Sequence, residues 1–430
     1  MNTDPVGITL LLGSFLFLIV LRVPIVFALG ISSILTGLYL DIPLLVVLQN
    51  MVGGINVFVL LAIPFFILAG EIMSQGGIAR RLVDMARVFV GFARGGLAMV
   101  NILASMFFGG ISGSSVGDTA SIGAVLIPMM KDDGYDADFA TSVTIASSVQ
   151  GVLIPPSHNM VIYALVAGGV SVGQLFLAGI IPGVLLGVAL MIFSYAVAVK
   201  RGYPKGETTS LKQALKTIID SVLGLVTVLI VVFGVVLGVF TATEAAAIAV
   251  AYAFFITFFV YREIPLSQMN SILSNALKTL SIVLILIGTS SSFGWFLSYL
   301  QVPQVMANVI LGISENKIIV MLILNLLLLF IGTFMDMSAL ILLGTPIFLP
   351  IAMSVGVDPV HFGVVMMLNL GIGLLTPPVG GTLFVGSAIG GVSIERLSKT
   401  MLPFYLVMVI VLLVITYIPD VVLFIPRLFY

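Results

Sequence analysis

The chain has 430 residues, 60% hydrophobic and 8% charged, with mean hydropathy +1.28 and net charge −1. That balance excludes a soluble domain and argues against a nucleic-acid partner. The absence of cysteine removes any disulfide framework or thiolate metal site, and two histidines do not furnish a His-rich centre. The N-terminus, MNTDPVGITL, lacks the basic region of a cleaved signal peptide, so the first apolar run is expected to remain as a helix.

In chain order, Val6–Leu21 and Pro24–Leu40 read as two spanning helices joined at Arg22. Pro43–Asn50 is short, and belongs at the interface or in a broken helix; Val57–Met73 spans, and Glu71 reads as a helix-end residue. Gln75–Gly96 sets Arg80, Arg81, Arg87 and Arg94 among apolar residues. Such an amphipathic stretch lies in the headgroup plane, with contact to a partner subunit as the sharper alternative. Met106–Met130 is apolar but interrupted by Gly109, Gly110, Ser112, Gly113, Ser114, Ser115, Gly117, Asp118 and Thr119. Lipid cannot satisfy freed backbone groups, so this segment is expected to be a re-entrant hairpin whose tip is a ligand site. Tyr135–Leu165 is broken at Ile154-Pro155-Pro156-Ser157, because consecutive prolines end a helix.

Phe176–Val199 spans, and the polar loop Lys200–Lys216 follows. Val222–Phe240, Glu244–Tyr261 and Leu277–Leu300 are further spans; Val302–Asn316 takes the place of the basic stretch without its arginines. Ile331–Ile351 is a second hairpin, with Gly332, Thr333, Asp336 and Ser338 at its break. A helix broken at Thr376-Pro377-Pro378 and a last span, Met401–Phe424, complete the chain. The expected total is about eleven crossings or broken crossings plus two hairpins.

These segments repeat at an interval of 222 residues, from Pro128 to Pro350. The same interval relates Gly110 to Gly332, Gly134 to Gly356, Gly151 to Gly373, and Pro155-Pro156 to Pro377-Pro378. The chain is therefore a duplication. With Arg80–Arg94 in the cytoplasm, every basic residue except Lys317 and Arg427 falls inside, and both termini fall outside. Equivalent loops then carry opposite charge bias, as in the inverted-topology repeats of secondary transporters. The expected fold class is an all-α polytopic membrane protein with two re-entrant hairpins and two Pro-Pro-broken helices.

Unwound carbonyls and hydroxyls can take a Na⁺ ion, while free N–H groups at half-helix starts attract an organic anion. One cluster is Ser112, Gly113, Ser114 and Ser115 with Pro155, Pro156, Ser157 and Asn159. The other is Gly332, Thr333, Asp336 and Met337 with Thr376, Pro377, Gly380 and Thr382. Two such clusters suggest at least two sodium sites flanking one substrate, with Ser115, Asp118, Ser157 and Thr382 on the substrate side. Small residues at these places also serve close helix packing. Asp336 is expected to ligate or attract a cation; Asp118 does the same or caps a half-helix at Thr119–Ser121. Glu244 reads as an acid at a helix start, His158 as packed or cavity-lining, and Trp295 as packing or an interface anchor. No G-x-x-x-x-G-K-[ST] loop or H-E-x-x-H motif is present, so an ATPase of that type or a zinc protease is not indicated.

The hairpin GGISGSSVGDTASIGAVLIPMM, the break GVLIPPSHNMVIYA, the second hairpin GTFMDMSALILLGTPIFLPI and GLLTPPVGGTLFVG resemble the large membrane subunit of TRAP (tripartite ATP-independent periplasmic) transporters. The resemblance covers essentially the whole chain. It implies a non-enzymatic, sodium-coupled importer of organic anions, of the sialic acid or C4-dicarboxylate class, in a bacterial inner membrane. It further implies a small four-helix membrane subunit and a soluble periplasmic binding protein as partners. An elevator is implied too, with scaffold segments at residues 1–95 and 207–316 and transport segments at 96–200 and 317–430. The hairpins would occupy about 97–130 and 318–352, with sodium at the two clusters named above. The alternative is a stand-alone Na⁺/dicarboxylate symporter or Na⁺/H⁺ antiporter of similar fold.

Overall fold

The computed structural model describes residues 4–206 and 210–430, so the first residues of the N-terminal stretch and the expected start of the second scaffold segment, 207–209, lie outside the described residues. The described chain is built of helices: α1 (Pro5–Val20), α2 (Ile25–Tyr39), α3 (Leu44–Ile55), α4 (Ala62–Gln75), α5 (Ile78–Val90), α6 (Gly96–Ser112), α7 (Ser115–Asp132), α8 (Ala137–Ser147), α9 (Gln150–Leu153), α10 (His158–Ala167) and α11 (Val172–Arg201). After residue 209 come α12 (Leu211–Val236), α13 (Ala242–Phe255), α14 (Met269–Tyr299), α15 (Val302–Ile313), α16 (Lys317–Gly332), α17 (Met337–Ser354), α18 (Pro359–Gly373), α19 (Gly381–Gly390), α20 (Ile394–Tyr417), α21 (Pro419–Leu423) and α22 (Pro426–Phe429).

Local chemistry sets many of these boundaries. Asp4 accepts from Val6 N and Gly7 N while Pro5 occupies the first helical position, a strong start for α1. Thr241 and Glu244 form a reciprocal capping box at α13. Glu244 is thus a helix-start acid, as its position in the sequence indicates. Helix starts recur at the repeat interval: Ser115 and Met337, Ala137 and Pro359, Val172 and Ile394. Gly134 and Gly356 both take positive φ, and both Pro-Pro bonds are cis.

Several expectations need correction. Among the described residues, seven helices are long and apolar enough to cross a membrane, or eight if α8–α10 count as one bent span, against the eleven read from the sequence. One of the seven, α17, is an arm of the second hairpin, which the sequence reading counted apart, and α1, α2 and α18 fall outside because they run only 15–16 residues, shorter than a straight apolar span. The polar stretch after Lys200 is less of a loop than expected, since α11 runs to Arg201 and α12 starts at Leu211. Pro43 precedes the short helix α3, which runs on to Ile55, past the expected Asn50. Glu71 sits inside α4 and accepts from Asn275 Nδ2 of α14 at 3.2 Å.

The basic helix α5 buries Ile78, Ala79, Leu82, Val83, Met85 and Ala86 and packs on α6 and α12. Arg81 does not simply face headgroups. It pairs with Glu263 at 2.5 Å and lies 3.7 Å over the Tyr261 ring, which ties α5 to the other repeat. A second tie joins Asp136 to the end of α11. The Tyr203 hydroxyl and the Arg201 guanidinium both donate to Asp136 Oδ2 at 2.7 Å.

Helices α6 and α7 pack on each other as a hairpin, as do α16 and α17. Glycine faces bring each hairpin against its broken helix. A Cβ at Gly109 would lie 2.6 Å from Gly151 Cα, and one at Gly332 would lie 3.3 Å from Gly373 Cα.

Two outcomes follow. Tyr203 first, and then Arg201, holds Asp136 below the ordinary carboxylate pKa of 3.8. Its contribution to stability is therefore present above that value and is lost as pH falls through the lower folded-state pKa. A pH series of thermal unfolding in detergent should show Asp136→Asn lowering the midpoint at neutral pH, with the gap from wild type closing in strong acid. Separately, Gly109→Ala forces backbone to shift whereas Gly332→Ala needs only a small adjustment, so the first should lower the unfolding midpoint more than the second.

Candidate functional site

The site is built where the two hairpin turns meet the two breaks. Gly113, at φ +60°, turns the chain at the end of α6, a conformation open to glycine at little cost. Ser114 then caps α7, its Oγ accepting from Gly117 N at 3.3 Å. Ser112 Oγ folds over the same turn, donating to Ser114 O and accepting from Ser114 N, each at 3.3 Å. Pro155 O and Pro156 O lie against Gly110 and Gly113, within 2.7 and 3.3 Å of where Cβ atoms there would sit. His158 begins α10 half-buried, with Nδ1 facing Gly113. The first cluster read from the sequence is therefore assembled, with carbonyls and hydroxyls concentrated at one turn.

The second cluster forms differently. No glycine reverses the chain, and residues 333–335 make the turn between α16 and α17. Gly332 ends α16 against Gly373, and Thr333 O accepts from Val379 N at 3.2 Å, so the turn is bonded to the break itself. Thr376 closes α18 through its Oγ1 to Ile372 O at 2.8 Å, Pro377 follows, and Gly380 begins α19 at φ +36°. Met337 is buried at the start of α17. Asp336 caps α17, its Oδ1 accepting from Ser338 N at 2.9 Å. Its side chain is exposed at the turn.

The capping role assigned to Asp118 is overturned. Ser114 already caps α7, and Asp118 sits one turn inside, fully buried, with no hydrogen bond to either carboxylate oxygen. Asp336 holds the capping role instead. Asp118 points into a buried polar layer beneath the tip, where Asn101 Nδ2 donates to Thr144 Oγ1 at 2.7 Å and Ser105 meets Ser147 at 3.0 Å.

The sequence does not reveal how the two clusters join. Ser115 Oγ lies 2.7 Å from Ser148 Oγ and 3.1 Å from Thr382 Oγ1, so the first hairpin bonds the second repeat's broken helix. Ser338 Oγ donates to Asn159 Oδ1 at 3.1 Å, so the second hairpin bonds the first repeat's broken helix. Four helix starts (α7, α10, α17 and α19) thus converge. Side chains cap the two hairpin helices, whereas Ser157 and Gly380 give α10 and α19 no side-chain cap. Ser157 Oγ is buried without a partner. Uncapped helix starts carry free N–H groups and partial positive charge, which suits an anionic oxygen. Hydroxyls and carbonyls at the neighbouring turns suit a monovalent cation.

Comparison with known proteins fits this arrangement. Residues 12–421 match the family described as Tripartite ATP-independent periplasmic transporter, DctM component. The chain is 40% identical to the sialic acid TRAP transporter large permease protein SiaM of Vibrio cholerae, over 89% of each chain. It is also 40% identical to the C4-dicarboxylate TRAP transporter large permease protein DctM of Pseudomonas aeruginosa, over 86% of each. Among solved structures, the Alcanivorax borkumensis YdaH transporter matches with a TM-score of 0.59 over 86% of each chain; at 14% identity the likeness is of fold alone. With its duplicated breaks joined at one polar junction, and with this match along nearly its whole length, the chain is a multi-pass membrane protein of the TRAP transporter large permease family.

Proposed function

We propose that this chain is the permease of a sodium-coupled importer that takes up an organic anion by an elevator movement. The observation that carries the reading is the crossed pair of hydrogen bonds, Ser115–Thr382 and Ser338–Asn159. They hold both hairpins and both broken helices as one body around one polar junction. In this reading the first turn holds sodium through neutral oxygens, Ser112 among them, and the second through Thr333 together with the Asp336 carboxylate. The uncapped starts of α10 and α19 hold the anion's carboxylate. No lysine or arginine belongs to either cluster, so release does not require breaking an ion pair.

Both hairpins pack on the remaining helices but through different arms, the first mainly through α6 on α5 and α4. The second hairpin's α17 packs along α14 and α15. The first hairpin meets α4 where Gly70 faces Ile111 O and Ser112, and through Ser74–Ser121 at 2.6 Å. We read this as a state closed toward the outside, along the second hairpin. The scaffold is α1–α5 with α12–α15, and both chain termini face the periplasm of a bacterial inner membrane. Sialic acids and C4-dicarboxylates, named for the two relatives, are the first substrate classes to test. A small membrane subunit and a periplasmic binding protein complete the transporter. Each charge crossing 100 mV yields about 2.3 kcal/mol, so more than one sodium per anion makes uptake concentrative.

Proteoliposomes holding this chain and its small subunit, given the binding protein outside, should accumulate N-acetylneuraminate or succinate only with an inward sodium gradient. Uptake by this chain alone would instead favour the stand-alone symporter. Ser112→Ala and Asp336→Ala should abolish sodium-driven uptake while the protein still inserts. Asp336→Asn keeps a good helix cap but loses the charge. It should fail as well; normal uptake by this variant would leave capping as the residue's only role.

A further inference from the structure

A second polar surface lies outside the junction, on the long helix α14. Its middle carries Thr289-Ser290-Ser291-Ser292 within an otherwise apolar span. Helical spacing puts Ser290, Ser291, Gly294 and Ser298 on one face. That face looks across a cavity of about 340 Å³ at Leu342 and Pro346 of α17, with Asn50 of α3 at the rim. Ser290 is 2% exposed, and its Oγ has no hydrogen-bond partner although it lines this cavity. A buried hydroxyl left unpaired is destabilising, so its retention opposite two apolar side chains asks for a partner that arrives at another time.

The helix geometry supplies that partner. Asp336 caps the start of α17, and at about 1.5 Å per residue Leu342 lies about 9 Å and Pro346 about 15 Å further along. If α17 slides along α14 so that its start reaches the level now held by these residues, Thr333 to Met337 come to face Ser290. We infer that the hydroxyl face of α14, Ser290 with Ser298, is the scaffold half of the solute site in the outward-facing state. It takes the hydroxyl or carboxylate oxygens of a small oxygen-rich organic anion. The inference rests on the elevator reading. Hydroxyls donate to carboxylates and accept from alcohols without fixed charge, so they select by oxygen pattern and let go when the hairpin moves inward.

The chain contains no cysteine, so introduced pairs report cleanly. In membranes treated with a flexible bifunctional thiol reagent, Ser290→Cys with Leu342→Cys should bridge and stop uptake. Ser290→Cys with Phe334→Cys should bridge in at least one sodium or anion condition. In proteoliposomes of the complete transporter, Ser290→Ala should raise the external KM for N-acetylneuraminate or succinate by up to about tenfold, the worth of one lost hydrogen bond. The maximal rate and the sodium dependence should stay unchanged, a split that a packing defect would not give. If the 290–342 bridge forms and blocks uptake but 290–334 never bridges, or external KM is unchanged for both anions, this inference is overturned and the elevator stands. If the 290–342 bridge fails to form, or forms and leaves uptake running, the sliding itself is wrong and this inference goes with it.

Discussion

The structure depends on one constraint: irregular backbone within an apolar environment must find its hydrogen bonds inside the protein. The hairpin turns and Pro-Pro breaks interrupt helices at residues 113–114, 154–157, 333–336 and 374–380. Each interruption frees carbonyls and N–H groups that lipid cannot satisfy. Bringing all four together lets them serve one another: Thr333 O accepts from Val379 N, Leu374 O accepts from Thr382 N, and the Ser115 and Asn159 side chains cross between repeats. The polar junction is thus a consequence of the breaks as much as a reason for them.

That junction is stiffened from outside by apolar packing in which glycine is decisive. Gly109 against Gly151 and Gly332 against Gly373 bring hairpin and broken helix to backbone contact, an approach that a side chain at Gly109 or Gly373 would prevent. Close approach lets short side chains such as serine and threonine reach across, so the polar geometry is set by the glycine geometry. Beneath the first tip, Asn101, Ser105, Thr144 and Ser147 continue the hydrogen bonding inward, while Asn325, Asn369 and Thr416 do the same under the second. Each tip thus has a buried network beneath it, although of these residues only Ser147 and Asn369 stand at the repeat interval.

The periphery follows other rules. Arg81 with Glu263 and Tyr261, and Asp136 with Arg201 and Tyr203, join segments distant in sequence at polar edges of the molecule. Trp295 stacks on Tyr299 and meets Phe296 edge-on, which agrees with a packing role beside the α14 hydroxyl face. These ties stand apart from the junction, so the basic residues are kept at the edges.

Much of this was legible in the sequence. The 222-residue interval, the Pro-Pro breaks and the glycine- and serine-rich turns fixed the family, the duplication and the residues of both clusters, because each is a local interruption of an otherwise apolar pattern. The helix start beside Glu244 was equally local, set by Thr241 Oγ1 and an N–H three residues on, whereas the start at Ser114 was missed in favour of Asp118. Span counting was less secure, because hydropathy does not measure how long a helix is once its neighbours enclose it. Only the tertiary structure decided that Asp336 caps a helix while Asp118 lies buried without a partner, since both look alike as acids beside a break. It alone decided that each hairpin bonds the other repeat's broken helix. Those contacts join residues 179 and 267 positions apart, and no local pattern records which of two equivalent partners the packing will choose.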